Sequence, residues 1–182
     1  MNRNIRRYIW IFALLAALAF LFDAQISRFF LALQSNAAVS IMAGISILGS
    51  WYIFPFLITL ILLIRKRSRY LLPAWLSLIL GLLIATIAKI IISRPRPFQA
   101  LGMAATEKFS SWDSSFPSSH VIAVFAVLPF LDKKIKPYWL AFAILVALSR
   151  IYLGLHYASD VIAGAIIGYL CGEASFKIFK LK

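Results

Sequence analysis

Most of the polar side chains that could take part in chemistry lie in three short segments of the chain. Residues 89–97, 117–120 and 149–160 contain both histidines, one of the six acidic residues and four of the 19 basic residues. Apolar runs flank these segments, and ionisable groups beside such runs usually mark a functional site. We therefore expect the three segments to form one reactive site.

The basic residues of these segments could bind a phosphate group. Lys89, Arg96 and Arg150 supply three fixed positive charges, and the guanidinium fork of arginine fits phosphate oxygens. Ser118 opens a predicted helix, whose first backbone N–H groups lack a carbonyl partner within the helix. Each base taken alone could instead extend to the lipid headgroup layer. For Arg94 both roles stay open, assistance to the site and anchoring at the interface.

The two histidines could divide the work of phosphate transfer. His156 and Asp160 are spaced i, i+4, so that the carboxylate could accept a hydrogen bond from one ring nitrogen and leave the other free to attack phosphorus. Water would then hydrolyse the phosphohistidine. His120 could protonate the leaving oxygen, because imidazole titrates near neutral pH. The alternative is a histidine–aspartate pair that only caps a membrane helix.

A metal site is the other chemistry that these residue types permit. His120, His156 and Asp160 could supply three ligands, but the neighbouring lysine and arginine side chains would repel a divalent cation. We therefore expect no metal ion at the site, and the sequence indicates no other cofactor.

The composition of the chain determines the setting of this site. Hydrophobic residues make up 63% of the 182 positions, and only 14% are charged, whereas soluble domains contain about 45 to 50% apolar residues. The mean hydropathy is +0.91. Residues 37–64 carry no charge over 28 positions, more than the about 20 that a membrane-spanning helix needs. These values predict an integral membrane protein with a single domain, residues 1–182.

The apolar runs predict an all-α bundle of about six transmembrane helices. Ile26, Phe29, Phe30 and Leu33 recur at helical spacing between the first two runs, which predicts an interfacial helix, with a plain connecting turn as the alternative. The basic N-terminal stretch is interpreted as a signal anchor rather than a cleaved signal peptide. The predicted spans are residues 8–22, 37–64, 70–89, 117–131, 137–153 and 157–176.

The distribution of charge predicts the orientation of the bundle. The net charge is +13, and with both termini in the cytoplasm 13 of the 19 basic residues fall on the cytoplasmic side. The basic residues are therefore assigned to topology and anionic lipid headgroups, with no nucleic acid as partner. The same orientation places all three polar segments on the extracytoplasmic side.

Three glycines in the last predicted span indicate close helix packing. Gly164, Gly168 and Gly172 repeat every fourth residue, and small residues let helix backbones approach each other. We interpret this stripe as packing within the chain rather than as a dimer seam, so a monomer is favoured. The oligomeric state is otherwise open.

The three segments resemble the signature motifs of the type-2 phosphatidic acid phosphatase superfamily. Lys89–Pro97 fits K-x6-R-P, Ser149–Asp160 fits S-R-x5-H-x3-D, and Pro117–His120 fits P-S-G-H with Ser119 in place of the usual glycine. Glycine permits backbone angles that serine resists, so this departure bears on phosphate binding. The resemblance implies a metal-independent phosphatase with His156 as nucleophile, Asp160 as its orienting partner and His120 as general acid. It also implies a phosphate site made of Lys89, Arg96, Ser118, Ser119 and Arg150.

The membrane branch of this superfamily suits the apolar spans. The chain resembles small bacterial enzymes that act on undecaprenyl pyrophosphate, phosphatidylglycerophosphate or the 1-phosphate of lipid A. This implies a lipid phosphate substrate and a place in the bacterial inner membrane, with the site facing the periplasm or exterior. Residues 98–116 could cover the headgroup as a lid, or form an ordinary interfacial loop. The rival classes are a lipid-binding or scaffolding protein without turnover, and a transporter or channel.

Overall fold

The computed structural model describes residues 3–50, 52–102 and 114–180. Within these ranges the chain forms helices and turns and no strand, which confirms the predicted all-α class. One-turn 3-10 helices at Ser68–Tyr70 and Leu128–Phe130 precede α4 and follow α6. The α-helices are α1 (Arg3–Ala32), α2 (Asn36–Leu48), α3 (Phe54–Ile64), α4 (Leu71–Ile92), α5 (Pro97–Ala100), α6 (Ser119–Ala126), α7 (Lys136–Tyr152) and α8 (Ala158–Ile178).

The outer surface of the bundle is apolar, as expected for a protein surrounded by lipid. Phe56, Ile90 and Ile91 are each at least 73% exposed, whereas soluble monomers rarely expose large contiguous apolar patches. The stretches Ser68–Ala100 and Ala158–Ile178 are long and apolar enough to cross a membrane, judged by length and composition.

The first predicted span is longer in the structure than in the sequence-based assignment. Helix α1 runs without a break from Arg3 to Ala32, so Ile26, Phe29 and Phe30 lie in its last turns and form no separate interfacial helix. No glycine or proline interrupts residues 18–32. The one acidic residue in this stretch, Asp23, is buried.

Two other predicted spans are interrupted. Residues 37–64 divide into α2 and α3, and Pro55 stands in the first turn of α3, where its missing N–H is tolerated. Helix α6 ends at Ala126, well before the predicted end of its span at 131, because Pro129 cannot continue the α-helical hydrogen bonds. Proline thus explains short helices in both places.

Helix α8 packs closely against α6 through its glycine stripe. A Cβ atom on Gly164 would lie 2.9 Å from the carbonyl oxygen of Ser118, and one on Gly168 would overlap the carbonyl group of Ile122. Gly172 approaches the carbonyl oxygen of Ala126 in the same way. The stripe is therefore used within the chain, as predicted, and it places the start of α8 beside the start of α6.

The basic turns lie together at one end of the bundle. Arg65, after α3, forms an ion pair of 3.0 Å with Asp132, before α7. Near the other end of the chain, the Ser175 hydroxyl donates to the Pro73 carbonyl over 2.7 Å, which joins the end of α8 to the start of α4. Because the helices run back and forth, the three polar segments meet at the opposite end.

Replacing Gly168 by alanine is expected to lower the melting temperature of the detergent-solubilised protein. The added Cβ would overlap the Ile122 carbonyl group, and such overpacking destabilises a protein by about 1 to 3 kcal/mol. Gly44→Ala is the matched control, because Gly44 is also helical and a Cβ there has no atom within 4 Å. Equal melting temperatures for the two variants would contradict the close packing of α8 on α6.

Candidate active site

The ends of four helices bring the polar segments together. Helix α4 ends at Ile92, and the left-handed backbone of Ser93 (φ 45°) turns the chain into the loop that leads to α5. The loop between α7 and α8 lies against this turn, since the Phe98 N–H donates to the Gly154 carbonyl over 3.2 Å. Lys89 and Arg150 lie in the last turns of α4 and α7, Ser118 and Ser119 at the start of α6, His156 in the α7–α8 loop and Asp160 in the first turn of α8.

The hydrogen bonds of His156 determine which ring nitrogen has the lone pair. Its Nδ1 lies 2.7 Å from the Ser115 carbonyl oxygen, which can only accept, so Nδ1 has the proton. Its Nε2 lies 3.3 Å from Nη1 of Arg96, and a guanidinium group can only donate. The lone pair of Nε2 therefore points towards a cation that could hold an anion in front of it.

The surroundings of His156 keep its ring neutral. The residue is 2% exposed and lies in the loop between α7 and α8, outside the helices. Burial lowers the pKa of His156 well below its usual value, and the positive charges of Arg150, Arg96 and Lys89 lower it further. The hydrogen bond to the Ser115 carbonyl opposes this shift. A neutral imidazole is the form that can attack as a nucleophile.

Asp160 does not form the expected hydrogen bond to His156. Its Oδ2 lies 3.7 Å from Nδ1 of His156 and accepts instead from the N–H of Tyr157 over 2.9 Å. The i, i+4 geometry fails because His156 precedes α8, which begins at Ala158, and because the Ser115 carbonyl is nearer to Nδ1. The carboxylate still lies close enough to act on the ring through its charge.

The three bases predicted to bind phosphate lie around the histidines. Arg96 is 3% exposed and also donates to the Leu155 carbonyl over 2.7 Å. Lys89 donates to the Ser114 carbonyl and Arg150 to the Ser46 hydroxyl of α2. All three bases lie near enough to His156 for their positive charges to lower its pKa, and His120 lies in the first turn of α6.

The start of α6 provides further donors. Ser118 precedes the helix, and its N–H donates to the Asp160 carbonyl over 3.2 Å. Its hydroxyl is buried and has no hydrogen-bond partner in the part of the chain that the structure describes. Ser119 begins α6 without the positive φ angle that would require glycine. Serine therefore replaces the family's usual glycine without backbone strain, and His120 follows it in the first turn.

Arg94 lies between two buried carboxylates. This position was not part of either role considered for it from the sequence, assistance to the site or anchoring at the interface. Its Nη1 lies 2.7 Å from Oδ1 of Asp160, and its Nη2 lies 2.7 Å from Oδ2 of Asp23 on α1. Its guanidinium group also stacks on the Tyr157 ring, 3.9 Å from the centroid. Arg94 therefore neither extends to the headgroup layer nor faces His156 directly.

Four residues of the site were not identified from the sequence: Asp23, Ser46, Ser115 and Ser159. A signal existed for Asp23, because it is the only acidic residue among the first 106 positions and lies in an apolar run. The serines gave none, because Ser115 acts through its backbone carbonyl, Ser46 through its hydroxyl, and Ser159 through its hydroxyl and its backbone N–H. The central part of the predicted lid, residues 103–113, lies outside the described residues.

Comparison with known proteins gives consistent results. The family model of the PAP2 superfamily matches residues 70–182. Phosphatidylglycerophosphatase B of Bacillus subtilis is 33% identical over 81% of this chain and 78% of its own length. Undecaprenyl-diphosphatase of Sulfolobus acidocaldarius is 30% identical over 61% of this chain, and the match spans only about half of that relative, 56%.

A solved structure extends the likeness to nearly the whole fold. The crystal structure of a transmembrane PAP2-type phosphatidylglycerolphosphate phosphatase from Bacillus subtilis superposes with a TM-score of 0.78 at 26% identity. The superposition covers 99% of this chain and 97% of that one. The family match includes all three polar segments that meet at one end of the bundle. The chain therefore belongs to the PAP2 superfamily.

Proposed function

We propose that this protein is a metal-independent membrane phosphatase that releases phosphate from a lipid phosphate monoester or pyrophosphate through a phosphohistidine on His156. The observation that carries this function is the buried His156 ring, whose Nε2 lies 3.3 Å from Nη1 of Arg96. Phosphate oxygens bound by Arg96 would lie directly in front of the attacking nitrogen.

The first step transfers the phosphoryl group to the enzyme. Nε2 of His156 attacks phosphorus, and the bond from phosphorus to the lipid oxygen breaks as the new N–P bond forms. His120 takes up a proton once the negative charge of the bound phosphate group offsets the surrounding cations, and gives this proton to the leaving oxygen. The phosphorylated ring keeps its Nδ1 proton and becomes cationic. The Asp160 carboxylate, 3.7 Å from Nδ1, and the Ser115 carbonyl stabilise this charge.

The second step returns the enzyme to its starting state. His120, now neutral, takes a proton from a water molecule, and the hydroxide attacks phosphorus. The N–P bond breaks, Nε2 recovers its lone pair, and inorganic phosphate leaves. Lys89, Arg96 and Arg150, with the Ser118 hydroxyl, stabilise the negative charge on the phosphate oxygens in both steps, in the way that preorganised donors stabilise an oxyanion.

The position of the site favours a substrate whose phosphate stays at the membrane surface. The reactive groups lie at one end of the bundle, opposite the ion pair of Arg65 with Asp132. Basic residues concentrate near that ion pair and are typical of a cytoplasmic face. Both termini are accordingly assigned to the cytoplasm, and the site to the outer face of a bacterial inner membrane. There the lipid chains would remain in the hydrocarbon while the headgroup enters the site.

The names of the relatives indicate the substrates to test. One is named for phosphatidylglycerophosphate and another for undecaprenyl diphosphate. Lipid A 1-phosphate is the third candidate from the resemblance of the motifs. The three share a phosphate group on a lipid and differ in what is attached to it. The site binds phosphate through cations that do not distinguish among these headgroups, so a single enzyme could accept more than one.

The detergent-purified protein is expected to release inorganic phosphate from at least one of these lipids in the presence of a metal chelator. His156→Ala should lower the rate by on the order of 1,000-fold or more, because the nucleophile is lost. The melting temperature of the variant checks that it is folded. Folded wild-type protein that binds these lipids but releases no phosphate would contradict the function and favour a binding protein. Release that persists in His156→Ala would exclude His156 as nucleophile.

The His156 ring is expected to stay neutral below the usual histidine pKa of about 6.5. The chain contains two histidines, so a His120→Gln variant leaves one ring to observe by nitrogen-15 NMR in phosphate-free detergent solution. Burial and the nearby cations oppose protonation. The ring should therefore gain its proton only as the pH falls well below 6.5. A midpoint at or above the usual value would contradict the neutral nucleophile.

A further inference from the structure

A buried group of charges connects α1 to the start of α8. Asp23 of α1 is 3% exposed. Its Oδ1 accepts from the Ser159 N–H over 3.0 Å, and its Oδ2 accepts from the Ser159 hydroxyl and from Nη2 of Arg94. Nη1 of Arg94 donates to the Ser159 hydroxyl over 2.8 Å and to Oδ1 of Asp160 over 2.7 Å. Three segments far apart in sequence thus meet at one guanidinium group.

The charge of this group matters for the site. Asp23, Arg94 and Asp160 together have two negative charges and one positive charge, so one negative charge remains. With Asp23 absent, the charge of Arg94 would cancel that of Asp160. The guanidinium group would also have a single carboxylate partner and could move towards it. A buried guanidinium or carboxylate is retained only where partners satisfy its charge and its hydrogen bonds.

We propose that Asp23 is a positioning residue for phosphoryl transfer and that it acts through Arg94 on Asp160. Asp23 and Asp160 hold opposite ends of the guanidinium group, so that Oδ1 of Asp160 is fixed and its Oδ2 stays 3.7 Å from Nδ1 of His156. The net negative charge of the group then stabilises the cationic ring formed when His156 accepts the phosphoryl group. Asp23 itself touches neither the ring nor the substrate.

This role differs measurably from a merely structural link between α1 and α8. A structural link would lower the stability of the bundle and reduce activity by the same factor whether or not Asp160 is charged. A positioning residue that acts through Asp160 has no further effect once the Asp160 carboxylate is removed. A double-mutant cycle separates the two cases, because coupled residues show non-additive effects.

The experiment compares Asp23→Asn, Asp160→Asn and the double variant, with kcat and KM measured for the lipid that the wild-type protein hydrolyses. Asp23→Asn alone is expected to lower kcat by about 10- to 100-fold with little change in KM. In the Asp160→Asn background the same substitution should change kcat by less than about twofold. Equal fold-changes in both backgrounds, or no loss from Asp23→Asn alone, would overturn the role of Asp23.

The chain offers a matched control for the removal of a paired carboxylate. Asp132 is also bound to an arginine, Arg65, at 3.0 Å, but at the opposite end of the bundle. Asp132→Asn is therefore expected to leave kcat unchanged. If Asp23→Asn fails to fold, Ser159→Ala removes only the hydroxyl that bridges Asp23 and Arg94. It should lower kcat about three- to tenfold, and again only where Asp160 is present. Equal losses in both backgrounds would overturn the proposal for this variant too.

This inference rests on the proposed function, in which His156 is the nucleophile. A second measurement that does not require turnover is therefore needed. Orthovanadate can bond to a histidine nitrogen in the geometry of a phosphoryl group in transfer, and its dissociation constant is measured without turnover. Asp23→Asn should weaken vanadate binding about tenfold in protein that retains Asp160. It should have no such effect in protein that already has Asp160→Asn. Vanadate binding with this pattern, without phosphate release from any lipid, would contradict the phosphatase function and support the positioning role. Equal weakening in both backgrounds would overturn the positioning role alone.

Discussion

Arg94 lies between the buried carboxylates of Asp23 and Asp160, 2.7 Å from each, and the geometry of the candidate site depends on this interaction. A carboxylate as deeply buried as Asp160 needs a partner, because removing a charge from water is costly. The guanidinium group supplies the partner and joins α1, the loop after α4 and the first turn of α8. The position of His156, which precedes that turn, follows from the same contact.

Close packing supplies the second constraint. The glycine stripe of α8 brings its backbone against α6, and the Ser118 N–H then reaches the Asp160 carbonyl over 3.2 Å. The start of α6 is therefore fixed beside the histidine, with the Ser118 hydroxyl buried and available to a ligand. The cations lie on the remaining side, where Lys89 and Arg96 donate to the backbone carbonyls of Ser114 and Leu155. Preorganised donors of this kind need little rearrangement when a phosphate group binds.

Sequence patterns predicted the helical class and the residues of the three segments, because residue types and spacing directly encode both. The hydrogen-bond partners of those residues were harder to predict from the sequence. Ser115 orients His156 through its carbonyl group, which every residue has, and Asp23 reaches Arg94 across 71 positions. The expected hydrogen bond from His156 to Asp160 assumed that both lie in one helix, yet α8 begins between them. The interruptions at Pro55 and Pro129 were visible in the sequence, but an apolar run alone does not reveal that the helix stops there.

The most direct test of phosphoryl transfer to His156 is the detection of the covalent intermediate. The protein would be mixed with a hydrolysed lipid for a time shorter than one turnover and quenched in alkali, since phosphohistidine is labile in acid. Mass spectrometry of its peptides would then locate the phosphate. The predicted result is a phosphate group on His156. Phosphate on His120, or rapid turnover with no phosphorylated histidine at any time point, would contradict the mechanism.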